Sequence, residues 1–212
     1  MVKIHRMPAF KTDAIEVAEQ SIMKNILRVT LLCLCLCLGV APSGVRAERD
    51  PLPGAGTLKT IPALDVPRYM GTWFEIARYP NWFQKKCAAA SRADYGLISD
   101  GRVEVVNRCR KADGEWMEAT GVARQVGASN SPRLEVRFAP AWLSFLPFVW
   151  GNYWIIDLDE DYQLVAVSEP NREYLWILSR TQQVDPARLD ALLQRLRQQG
   201  FDTGKLETTK QD

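Results

Sequence analysis

The chain has 212 residues, with 27 Lys and Arg against 25 Asp and Glu, one His and five Cys. Setting aside an N-terminal leader over 1–47 leaves 165 residues with 21 basic and 22 acidic side chains, a net charge of −1. That length fits one domain with an ample core, and the balance lacks the basic excess expected of a nucleic-acid binder. The sole histidine, His5, falls in the leader, so the remainder has no imidazole for a Ser-His-Asp or Cys-His nucleophile, a His-ligated metal or a haem.

The leader reads as a secretory signal peptide. Lys24 and Arg28 precede an apolar run from Leu31 to Val40, and Val45-Arg46-Ala47 offers small residues where a signal peptidase cleaves. The run is too short to span a membrane comfortably. Met23 opens a segment of ordinary signal length and is the expected start of translation. Cys33, Cys35 and Cys37 each follow leucine, whereas a lipid-modified cysteine needs a small residue before it. The expected product is periplasmic or secreted, in association with the outer membrane but without a lipid anchor. Residues 48–66, rich in Pro and Gly, read as an extended arm leading into a domain over 67–212.

Short, evenly spaced strand patterns follow, separated by turn signals. The expected strands cover 71–80, 87–98, 102–110, 115–126, 132–138, 152–158, 162–168 and 173–180. Asp100-Gly101 predicts a two-residue type I′ hairpin. The cleanest alternation is over 132–138, with Leu134, Val136 and Phe138 on one face and Arg133, Glu135 and Arg137 on the other. After residue 180 the period changes. Asp185-Pro186 supplies an N-cap and a proline at N1, Leu189, Leu192, Leu193 and Leu196 form one stripe, and Gly200 follows the end. A helix over 186–199 should therefore lie on the outer wall.

Cys87 and Cys109 remain outside the leader and should pair in an oxidising compartment. With a turn at Asp100-Gly101, Cys109 would face a residue near Arg92, which leaves Cys87 ~16 Å away along the strand. A disulfide needs Cα atoms within ~7 Å. Either the start of the strand bends back or the turn lies elsewhere.

Gly71-Thr72-Trp73, within GTWFEIARYPNWF, starts the first strand, and YLWILSR ends the last one on Arg180. An arginine stacked on an indole face is a favourable cation–π pair, and this one would join the first and last long strands, as barrel closure requires. These two segments, with DLDEDYQLVAV between them, resemble the lipocalin family, within it the bacterial outer-membrane lipocalins and apolipoprotein D, over about residues 66–206. The resemblance implies an all-β fold, an eight-stranded antiparallel up-and-down barrel with one C-terminal helix outside, holding one small apolar ligand. It assigns Gly71, Trp73 and Arg180 a structural role in closing the barrel.

Extending the parity of Trp73 places Glu75, Ala77 and Tyr79 inward beside Leu134, Val136 and Phe138. Tyr153 and Trp176 are further candidates, although Trp154, Ile156, Leu175 and Ile177 on the opposite faces are equally apolar. Trp142, Phe145, Phe148 and Trp150 belong to an unusually apolar connection at the expected barrel mouth. Such a loop serves as a lip on a lipid surface, as a contact with a second copy of the chain, or as a flap folded over its own barrel. Asp157, Asp159, Glu160 and Asp161 read as a solvated turn, with no calcium-loop spacing. The expected function is binding and transport or storage of a fatty acid or lysophospholipid, with no metal, no cofactor and no catalytic residue. An envelope docking module built on the 142–150 loop, or an isomerase using Glu75 and Tyr79, is the alternative.

Overall fold

The computed structural model describes residues 57–211. The expected leader, the start at Met23 and the arm up to residue 56 lie outside them. Within the described part, residues 57–65 cross one end of a barrel. The Ile61 amide donates to the Ile155 carbonyl (3.1 Å) and the Leu64 amide to the Asn130 carbonyl (2.8 Å). A short helix, α1 (Val66–Tyr69), follows, with Asp65 as N-cap accepting from the Arg68 amide.

Eight antiparallel strands then run β1 (Gly71–Arg78), β2 (Ala89–Leu97), β3 (Val103–Arg110), β4 (Trp116–Gln125), β5 (Arg133–Arg137), β6 (Gly151–Leu158), β7 (Leu164–Ser168) and β8 (Leu175–Ser179). Each pairs with the next, and β1 closes the barrel by pairing with β2 over Gly71–Phe74 and with β8 over Phe74–Arg78. The helix α2 (Pro186–Gln198) is capped by Asp185, whose side chain accepts from the Arg188 amide. It packs Leu192 and Leu196, both fully buried, onto Ile156, Leu164, Ala166, Leu175 and Ile177 of the outer wall. Arg195 pairs with Asp157 and Arg188 with Asp159, so two carboxylates of the acidic 157–161 segment anchor the helix.

A ninth strand, β9 (Glu207–Thr208), has no signal in the polar sequence ETTKQ. It pairs with Ala77–Arg78. Beyond it the Thr209 amide donates to the Ile76 carbonyl, the Ala90 amide donates to the Lys210 carbonyl, and the Gln211 side chain donates to the carbonyls of Glu75 and Ser91. The C-terminal tail thus fills the gap where β1 and β2 part.

The hairpin between β2 and β3 is not the expected two-residue turn. Ile98 pairs with Arg102 around three residues, with Gly101 at φ 80, the geometry of a type I turn closed by a left-handed glycine. Ala112-Asp113-Gly114 repeats it, with Gly114 at φ 86. In both, the aspartate accepts from the amide two residues on, Arg102 or Glu115, which favours the αR residue ahead of the glycine.

The extra turn residue moves the register by one, and a bulge between Ala89 and Arg92, with Ala90 at φ 52, bends the head of β2. Cys87 and Cys109 therefore come to a Cα separation of 5.5 Å and form the disulfide. The bend and the shifted turn both contribute.

Candidate functional site

Two apolar clusters divide the domain, one under α2 and one inside the barrel. The floor of the interior is the closure predicted from sequence. The Arg180 guanidinium carbon lies 4.0 Å from the Trp73 ring centroid. Its nitrogens donate to the carbonyls of Thr72, Arg68, Tyr69 and Tyr162, and burial pulls its pKa below the ordinary arginine value. Gly71 is required twice over. Its φ is 95, and a Cβ would stand 3.3 Å from Arg180 Nη1. The Trp73 indole donates to the Tyr69 carbonyl (2.8 Å) and is completely buried.

Above this floor the wall consists of Val103, Val105, Ala123, Leu134, Ile155, Val165, Val167 and Leu178, with Val136, Tyr153 and Trp176 less deeply covered. The faces of β6 and β8 left open by the sequence are thereby assigned. Tyr153 and Trp176 belong to the interior cluster, whereas Trp154, Ile156, Leu175 and Ile177 pack under the helix. Phe138 also lies on the interior side, its ring against the position where Gly121 would carry a Cβ, and it is partly exposed at the rim. Asn107 and Ala119, opposite each other on β3 and β4 and of the same parity as Val105 and Ala123, are exposed. The barrel is filled at its floor and open at its mouth.

Ala77 and Tyr79 do not line this interior. A bulge between Glu75 and Ala77 inserts one residue, so Ile76, Ala77 and Tyr79 all join the cluster under α2. The Tyr79 hydroxyl donates to the Asp202 carbonyl. Glu75, 3 % exposed, is engaged on every side: Arg78 Nη1 at 2.7 Å, Thr209 Oγ1 at 2.5 Å and Gln84 Nε2 at 2.7 Å.

Gln84 Oε1 in turn accepts from the Trp176 indole (3.0 Å), and Phe83 packs on Tyr174 and Trp176. The β1–β2 loop is therefore held against β8 at the mouth, with Trp82, Lys85 and Lys86 exposed. Across the mouth, Trp142, Phe145 and Phe148 are 72, 74 and 81 % exposed, which excludes a flap folded over the barrel. Trp150 separates from that set. It lies against the outer wall with Arg124 at 4.0 Å and Arg137 at 5.3 Å from its ring centroid.

The feature missed in the sequence is a polar cluster within the apolar interior. Tyr153 Oη lies 2.8 Å from Tyr69 Oη and 2.9 Å from Tyr95 Oη. Burial raises all three phenols, Tyr95 to about 12. Only Tyr153 was legible. Tyr69 sits on the unpredicted α1, and Tyr95 on a strand whose alternation is poor.

A family model described as a lipocalin-like domain matches residues 64–211. The chain is 36% identical over 155 residues to temperature-induced lipocalin-1 of Arabidopsis thaliana, covering 73% of this chain and 83% of that protein. It is 37% identical over 152 residues to the outer membrane lipoprotein Blc of Vibrio cholerae, covering 71% and 84%. It is 33% identical over 153 residues to apolipoprotein D of Mus musculus, covering 69% and 77%. Among solved structures, the cockroach allergen Per a 4 superposes with a TM-score of 0.56 at 21% identity, covering 74% of this chain and 93% of that one, a likeness of fold alone.

Proposed function

The chain belongs to the lipocalin family, and we propose that it binds and carries one small apolar ligand, a fatty acid or lysophospholipid, in the cell envelope. The observation that carries this reading is the barrel interior: apolar walls above a closed floor, open at a mouth where inward-facing Asn107 and Ala119 meet solvent. Burying an acyl tail there gains ~0.8 kcal/mol per methylene. A long chain can thereby reach micromolar affinity after the costs of association.

The name of one relative, an outer membrane lipoprotein, supports an envelope location. The exposed Trp142, Phe145 and Phe148 on one side of the mouth, and Trp82 with Lys85 and Lys86 on the other, suit a lip resting on an anionic lipid surface while cargo passes. Tyr79 packs outside the barrel, and Glu75, on the interior side, has its carboxylate held by Arg78, Thr209 and Gln84, which favours a carrier over an enzyme.

Native mass spectrometry of the protein purified from a bacterial host, followed by organic extraction, tests the proposal. A stoichiometric lipid adduct is the expected result, and the same spectrum reads out any dimer. A barrel that is empty, and that takes up neither fatty acid nor lysophospholipid afterwards, would instead favour a docking module without cargo.

A further inference from the structure

The tyrosine cluster has an unbalanced count of donors. Three hydroxyls carry three protons, and the two bonds that join them use two, whichever way the donors point. One O–H and four lone pairs have no further partner among the described residues. Tyr95 comes from β2 and Tyr153 from β6, opposite walls of the barrel, and Tyr69 from α1, so the hydroxyls meet across the interior beside Trp73. Tyr69 is buried, while Tyr95 and Tyr153 are only half-buried. The cluster forms the polar bottom of an otherwise apolar cup, walled by Val105, Val136, Ile155 and Val167.

A buried donor without an acceptor is costly, so an oxygen delivered to this point would be bound in preference to a methyl group. The charge of that oxygen is also constrained. The charge of Arg180, stacked on Trp73, reaches Tyr69 and Tyr95, but its donors go to backbone carbonyls. An anion would lose hydration there without a direct bond from that guanidinium. With phenols held protonated, the cluster offers hydrogen bonds and no charge.

We infer that Tyr69, Tyr95 and Tyr153 form a hydrogen-bonding seat at the bottom of the barrel for an uncharged oxygen at the buried end of an elongated apolar ligand, the class of hydroxylated or keto acyl chains. This rests on the carrier reading and narrows its cargo.

The test uses the full chain and displacement of a fluorescent apolar probe. Straight-chain acids of roughly ten to eighteen carbons, a range set by burial per methylene, are compared with their ω-hydroxy counterparts. An apolar bottom would weaken every ω-hydroxy acid by about tenfold or more, because the hydroxyl loses water without gaining a partner. The seat predicts that at one or two chain lengths, where the terminus reaches the cluster, the ω-hydroxy acid binds at least about threefold tighter than its parent.

In Y69F/Y95F/Y153F, which removes all partners together and keeps the ring shapes, the ω-hydroxy acid should lose its preference over the parent acid of the same length. A preference that survives in the triple variant overturns the seat. The wild-type series decides even if that variant does not fold, since ω-hydroxy acids weaker than their parents at every length also overturn it. Parent acids that bind under that outcome leave the carrier reading standing. Failure of both series to bind removes seat and carrier together.

Discussion

Replacing Arg180 tests the barrel closure. Arg180→Met removes the cation stacked 4.0 Å from the Trp73 ring and four donors to backbone carbonyls. Hydrogen bonds from a charged donor are worth ~1.5–3 kcal/mol each when the acceptor cannot turn to water. Water can replace the guanidinium at the exposed Arg68 carbonyl, so the loss concentrates on the partly buried bonds to Tyr69, Thr72 and Tyr162. Adding a cation–π contribution at the low end of ~0.5–2 kcal/mol, and discounting for the partial exposure of Arg180, the variant should lose about 3 kcal/mol. Arg180→Lys keeps the charge but not the planar fork and should lose about half as much. Urea unfolding with the disulfide intact reads this as a midpoint lowered by about 1–2 M at an unchanged slope. A double-mutant cycle with Trp73→Phe isolates the stacking, with an expected coupling of about 0.5–2 kcal/mol. A loss below about 0.5 kcal/mol for Arg180→Met, together with zero coupling, would refute the assignment of this pair as the joint between the first and last strands.

The remaining expectations concern the disulfide, the wall, the mouth and alkaline pH. Cys87→Ser with Cys109→Ser opens a loop of sequence separation 22 and should cost about 3 kcal/mol by chain entropy. Unfolding with and without reductant measures it, and a shift under about 1 kcal/mol would contradict a constraining bond. Gly121→Ala would set a Cβ 2.7 Å from the Arg137 carbonyl and the Phe138 ring. It should destabilise by about 1–3 kcal/mol through overpacking, read as a lower Tm. Replacing Trp142, Phe145 and Phe148 together with Ser should leave Tm and cargo affinity nearly unchanged and reduce sedimentation with anionic vesicles about tenfold or more. Vesicle binding that is undiminished would move the contact away from this loop. Tyr95 is raised from 10.0 to about 12, and Tyr69 and Tyr153 are raised in the same direction. The fold favours the neutral phenols, so their contribution is complete below pH 10 and is lost as pH rises from there through about 12. Urea midpoints across that range should fall in the wild type and fall less steeply in Y69F/Y95F/Y153F.

Local chemistry made much of this protein legible before folding. The glycine that must take φ 95, the tryptophan two residues on and the arginine ending the last long strand identified the closure, because each has a requirement no other residue type meets as well. The Leu stripe between Asp185-Pro186 and Gly200 defined the helix, and the alternation of Leu134, Val136 and Phe138 placed them on the interior side, since one face of β5 is polar. Alternation failed wherever both faces are apolar. On β6 and β8 each side buries against something, the barrel interior or α2, so Tyr153 and Trp154 were indistinguishable until the helix was in place. It failed also at the bulges, where one inserted residue after Glu75 carried Ala77 and Tyr79 from the inside to the outside of the barrel. The polar tail that becomes β9 pairs only through its backbone, to β1, and so carries no hydrophobic period. The tyrosine cluster joins positions 69, 95 and 153 from three elements. Sequence fixes the period of each segment separately, whereas the meeting of their hydroxyls depends on barrel closure, strand register and the place of α1 across the floor, which only the packed chain determines.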